Sequence, residues 1–156
     1  MGRVMAQDAR QTQETGGTGP GRRSISMRRL GHSEYEVTNV RGGTIRLGGG
    51  KDDSFTPVEL FLTSIAGCSA IDVDFITSRR AEPTQFEISA SGEKLRDETG
   101  NHMGDIEVTF RVRFPDGPEG DDARDMLPRA IARSHDRLCT VSRTVQRGAT
   151  VTMVDG

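Results

Sequence analysis

The chain has 156 residues, 33% hydrophobic and 28% charged, which suits one domain with a modest core and a well-solvated surface. A net charge of -2, with opposing charges interspersed, gives no general attraction for nucleic acid or for an acidic membrane. Its two cysteines, Cys68 and Cys139, lie far apart and exclude the disulfide framework of small secreted domains.

Residues 1–22 are polar and rich in Gly, Gln and Thr, the composition of a disordered tail, and 23–156 are expected to form the domain. The first residues lack the apolar stretch of a secretory signal, and Ala6 stands where a myristoylation signal needs Ser or Thr. No continuous apolar run approaches the roughly 18 residues of a membrane span. A cytoplasmic protein with no membrane partner is expected.

From Ser24 the pattern changes. SISMRRL (24–30), EYEVTNV (34–40) and TIRL (44–47) alternate apolar with polar residues and are separated by Gly-containing turns, LGHS and RGG, which predicts an antiparallel meander. GGGKDDS (48–54) reads as a loop. It lacks the Lys-Ser/Thr of a phosphate-cradling motif, and no cofactor is expected.

The clearest helix start follows. Thr56 suits the N-cap, Pro57 the first helical position, and Glu59 the third, a capping box with Phe55 and Leu60 placed as a hydrophobic staple. Positions 61, 62, 65, 66, 68, 71, 73, 75 and 76 are apolar or Cys, nearly all round the helix, so it is expected to be buried on most sides. It should end near Arg79 or Arg80, ahead of Glu82-Pro83.

TQFEISASGEKL (84–95) reads as a strand, RDETGNHMGD (96–105) as a loop, and IEVTFRVRF (106–114) as an alternating strand. Asp121 or Asp122 is a candidate cap for a second helix running to about Asp136, with Pro128 implying a kink or a start nearer Met126. The β-branched ending, 140–154, predicts a further strand. The order of elements indicates an α+β domain with helices on one side of curved antiparallel sheets.

Cys68 sits mid-helix among Ala66, Gly67, Ser69 and Ala70. Such a cysteine packs readily as a small hydrophobe, yet small neighbours also admit a substrate or a partner element. Twelve positions past the N-cap it gains little from its own helix dipole, and Asp72, one turn on, opposes ionisation. A reactive Cys68 therefore needs help from another segment. Glu59 is accounted for by the capping box. The three histidines, at 32, 102 and 135, lack the paired spacing of a Cys/His metal site, and no metal is expected.

TPVELFLTSIAGCSAIDV and RAIARSHDRLCTVSRTVQRGATVT resemble, in this order, the two signatures of the OsmC/Ohr superfamily. The resemblance spans roughly 24–155. It implies an OsmC-like fold in which curved antiparallel sheets wrap around two helices in an intertwined homodimer. It also implies that Cys68 is a peroxidatic thiolate and Cys139 the thiol that resolves it. The substrate would be an organic hydroperoxide and the reductant a dithiol. In the family a Glu directly after the helix-start proline holds an Arg over the sulfur. Val58 takes that place here and the carboxylate comes one residue later, at Glu59. For the Arg, which the family draws from the first hairpin, the candidate is Arg29, with Arg28 and Arg41 close by in sequence. A non-enzymatic dimer of this fold, holding a small apolar ligand in its interface cleft, is the other reading.

Overall fold

The computed structural model describes residues 19–156; the tail expected over 1–22 lies outside the described residues up to residue 18. The described residues form two compact units that divide after Leu60.

The first unit contains β1 (Ile25–Gly31), β2 (Glu34–Asn39) and β3 (Thr44–Gly48), an antiparallel sheet in the order β1-β2-β3. The meander is as expected. Its first turn places Ser33 at φ 58, and the β1–β2 register shifts once between Arg29 and Gly31. The second turn is closed by the Asn39 side chain, whose oxygen accepts from the amides of Arg41 at 2.9 Å and Gly43 at 3.1 Å. Phe55 forms a single bridge to Leu47 just before helix α1 (Pro57–Thr77) begins. There Thr56 Oγ1 accepts from the Glu59 amide at 3.3 Å and donates to the Glu59 carboxylate at 2.9 Å. The capping box is formed by the residues expected to form it.

By length and composition α1 is apolar enough to cross a membrane, with a mean hydropathy of 1.5 over its best window. Core helices of proteins outside membranes share that property. From Phe61 onward, in the second unit, Ile65, Ala66, Ser69, Val73 and Thr77 form one buried stripe at spacings of three and four. Burial on most sides does not hold within one chain: Ile71 is 71% exposed and Phe75 62% exposed. The Arg79 guanidinium covers one face of the Phe75 ring, 4.3 Å from its centroid.

β4 (Gln85–Asp97) and β5 (Gly100–Arg113) form a long antiparallel hairpin. Its outer end replaces the loop expected over 96–105. The polar run there conceals a tight turn in which Asp97 accepts from the Thr99 hydroxyl at 2.6 Å and the Thr99 amide at 2.7 Å. These bonds, the hydroxyl's first, hold the Asp97 carboxyl below its usual value. Gly100 supplies the positive φ, 127°, at which the chain re-enters the sheet. Phe86 and Phe110 meet edge to face across the inner half of the hairpin, with centroids 6.4 Å apart.

Helix α2 (Pro118–Arg133) starts earlier than the Asp121 or Asp122 cap implied. Gly117 is the N-cap and Pro118 opens the helix; Glu119 and Asp121 fall in its first turn, where carboxylates complement the helix dipole. Pro128 lies inside α2 without ending it. Ala81, Phe114 and Ala123 are buried together, with Val112 and Leu127 packed on them, and this cluster anchors α2 to the hairpin. A π-helical turn, Ser134–Leu138, then leads to a third helix, α3 (Thr140–Arg147). The strand expected over 140–154 is therefore wrong in its first half, and 148–156 pair with no strand among the described residues. Capping outweighs β-propensity here: the Cys139 sulfur accepts from the Ser142 amide, Thr144 Oγ1 donates to the Thr140 carbonyl at 2.7 Å, and Gly148 ends the helix at φ 71. Two helices were expected; the described residues form three α-helices.

Candidate functional site

Two elements bring the cysteines together. Cys68 lies on α1, one turn before Asp72. Cys139 lies where the π-helical turn hands over to α3, and its amide is tied to the Ser134 carbonyl at 2.9 Å. The Cys68 and Cys139 sulfurs and an Asp72 carboxylate oxygen are all within 4.8 Å of one another. Cys139 is fully buried, whereas Cys68 is only half-buried. Of the pair, only Cys68 is accessible to a solute.

The surroundings are polar in an organised way. Ser69 Oγ donates to the Cys139 sulfur at 3.4 Å, and the Ser142 amide donates to it at 3.4 Å. Ser134 Oγ, buried, donates to Asp72 Oδ2 at 2.9 Å. Burial pushes the Cys68 thiol above its ordinary value of 9.0, and the adjoining Cys139 side chain pushes the same way. The backbone N–H groups of Val141 and Thr140, in the first turn of α3, oppose that rise. Cys68 thus receives from α3 the helix-terminal help that its own helix does not supply.

A cleft of about 470 Å³ lies beside the cluster, with neither sulfur in its lining. Its apolar wall comprises Ile65 of α1, Ile106, Val108 and Phe110 of β5, Ile131 of α2 and Val145 of α3. It reaches Ser69 and Ser142, the two residues bonded to the Cys139 sulfur. His135 also lines the cleft, with Nδ1 2.8 Å from Asp136 and Nε2 3.4 Å from Gln146, so it serves neither sulfur.

Of the residues singled out in the sequence, the structure unites Cys68 and Cys139. Glu59 is held in the capping box. Arg29 is an exposed residue of β1 opposite Tyr35, and its neighbour Arg28 pairs with Glu36 at 2.9 Å. Ser69, Ser134 and the α3 amides were not foreseen. Two signals for them were available: Ser69 and Asp72 flank Cys68 on α1, and Ser142 stands three after Cys139, the spacing of an N-cap and its partner amide.

A family model described as OsmC-like protein matches residues 49–154. The chain is similar to Uncharacterized protein Rv2923c of Mycobacterium tuberculosis, 30% identical over 129 residues that cover 81% of this chain and 91% of that protein. Among solved structures, an OsmC like protein from Mycoplasma pneumoniae superposes with a TM-score of 0.61 at 15% identity, covering 82% of this chain and 89% of the other. An organic hydroperoxide resistance protein from Legionella pneumophila superposes with a TM-score of 0.55 at 14% identity, covering 82% and 91%. At these identities the superpositions establish the shared α+β fold.

Proposed function

From the premise that the chain belongs to the OsmC-like protein family, we propose that it is a thiol-dependent peroxidase that reduces organic hydroperoxides through Cys68 and Cys139. The observation that carries this reading is the pair itself: two free thiols within 4.8 Å, one accessible and one buried. Cys68 as thiolate attacks the outer peroxide oxygen, the O–O bond breaks, and the alcohol leaves after taking one proton. Cys68 is left as a sulfenic acid. The Cys139 thiol displaces that hydroxyl as water, forming the Cys68–Cys139 disulfide. A dithiol then reduces the disulfide, entering at the accessible Cys68 sulfur and departing as its own disulfide.

The apolar wall of the adjoining cleft suits the organic part of such a substrate. The same cleft favours a second reading, a non-enzymatic protein that holds a small apolar ligand. One equivalent of an organic hydroperoxide separates the two. A peroxidase loses about two hydrogens in mass by forming an intramolecular disulfide between residues that need close only to the roughly 2.05 Å of an S–S bond. A mass unchanged over repeated additions, with both thiols still titratable, overturns the peroxidase reading.

The working form in this proposal is a cytoplasmic homodimer. Ile71 and Phe75, exposed on the most apolar helix among the described residues, are the side chains a second copy would cover. Light scattering is expected to give twice the 17.0 kDa chain mass. A single-chain mass at working concentrations sinks the dimer.

A further inference from the structure

The cluster around Cys68 contains more than a disulfide requires. Asp72 places a carboxylate oxygen within 4.8 Å of both sulfurs, and resolving one thiol with another has no use for it. Nor is that carboxylate loose: buried Ser134 donates to its Oδ2, leaving Oδ1 available. Cys68 and Asp72 stand one turn apart on a rigid helix, and Cys139 faces them from the start of α3. Two sulfurs and one oxygen converge on one point.

We propose that, with both thiols reduced, Cys68, Asp72 and Cys139 bind one thiophilic divalent cation of the Zn2+ class. Tetrahedral zinc with bonds of about 2.3 Å to sulfur and about 2.0–2.2 Å to oxygen sets its ligand atoms roughly 3.5–3.8 Å apart. The three candidate ligand atoms, all within 4.8 Å of one another, lie within about 1 Å of this spacing. Two thiolates select such a metal over Mg2+ or Ca2+, which prefer all-oxygen sites. Three protein ligands leave a fourth position for water on the side where Cys68 is half-exposed.

The surrounding donors fit the charge of the loaded site. Two thiolates and a carboxylate carry three negative charges against two on the metal. The excess faces the backbone N–H groups of Thr140, Val141 and Ser142 at the start of α3. The Ser134 hydroxyl behind Asp72 orients that ligand, as hydrogen bonds behind metal ligands commonly do. Binding displaces the two thiol protons into solvent. The disulfide and the metal are then mutually exclusive, so oxidation releases the cation and the cation shields the thiols from oxidation. The sequence pointed away from a metal on histidine spacing alone; this ligand set uses no histidine. It does not depend on hydroperoxide turnover and stands or falls separately from the peroxidase reading.

The test is a Co2+ titration of the reduced, metal-free full chain, followed by displacement with Zn2+. Expected are thiolate-to-cobalt charge-transfer bands in the near ultraviolet that saturate at one equivalent per chain and vanish on adding Zn2+. The same protein carrying the disulfide should show none. Cys68→Ser and Asp72→Asn, both at partly exposed positions, carry the assignment. Each is expected to weaken binding by about 10- to 100-fold or more, with circular dichroism confirming the fold. Absence of thiolate bands in the reduced chain, or a titration unchanged by Asp72→Asn, overturns the proposal.

Discussion

Replacing Cys68 by Ser is expected to lower dithiol-dependent reduction of an organic hydroperoxide by about 1,000-fold or more, because the only accessible sulfur of the pair is removed. A hydroxyl in its place is neither a comparable nucleophile nor able to form the sulfenic acid that Cys139 attacks. Cys139→Ser separates the steps: the first oxidation remains, and a trappable sulfenic acid accumulates on Cys68 instead of a disulfide. The pH profile adds a second reading of the same group. Burial and the neighbouring Cys139 raise the Cys68 thiol above 9.0, so the thiolate is a minor species at neutral pH and its fraction grows as pH rises toward the raised value. In metal-free protein the rate of the first oxidation should climb about tenfold per pH unit through the neutral range, without levelling below 9.0. Stopped-flow measurement of one turnover checks this. A plateau already present at neutral pH would show that Cys68 ionises far more readily than its burial implies; wild type no faster than Cys68→Ser removes Cys68 as the nucleophile.

Gly120→Ala should destabilise the second unit by about 3 kcal/mol or more, the upper range for overpacking a filled space. A Cβ at Gly120 would lie 1.7 Å from the Pro115 carbonyl oxygen and 2.8 Å from its carbon. Both are backbone atoms, so no rotamer change relieves the contact. Either α2 moves away from the turn or the turn moves away from α2, and in both cases Phe114 and Ala123 lose their shared packing with Ala81. The turn itself tolerates little adjustment, since Gly117 holds φ 110, a region that suits glycine. Urea unfolding at fixed protein concentration reads the effect; an unchanged midpoint would mean that Gly120 is replaceable and the close approach incidental.

The legible parts of this molecule are those written over short stretches. Thr56-Pro57-x-Glu59 specifies a helix start by local hydrogen bonding, and the structure forms those bonds. The alternation in 24–47 specifies three strands, since each side chain chooses its face by its immediate neighbours. Where the reading failed, a distant or non-obvious partner decided the outcome. Residues 96–105 look like a loop until the opposite strand supplies their hydrogen bonds. Residues 140–147 look like a strand until a sulfur caps them as a helix, and sulfur is not among the usual capping groups.

The same division holds at the site. From the chain alone came the family resemblance, the α+β class, the start and apolar character of α1, and the choice of Cys68 and Cys139 as the residues of interest. Local rules also showed that Cys68 draws little from its own helix dipole. Only the tertiary structure decided what fills that gap. Folding carries Cys139 and the first amides of α3 across to α1, buries one sulfur while leaving the other accessible, and adds Asp72 and Ser134 to the cluster. Helical and strand periodicity arise between residues a few positions apart, so sequence records them. The distance between two sulfurs on separate helices depends on how those helices pack, and packing is settled by contacts that no local pattern encodes.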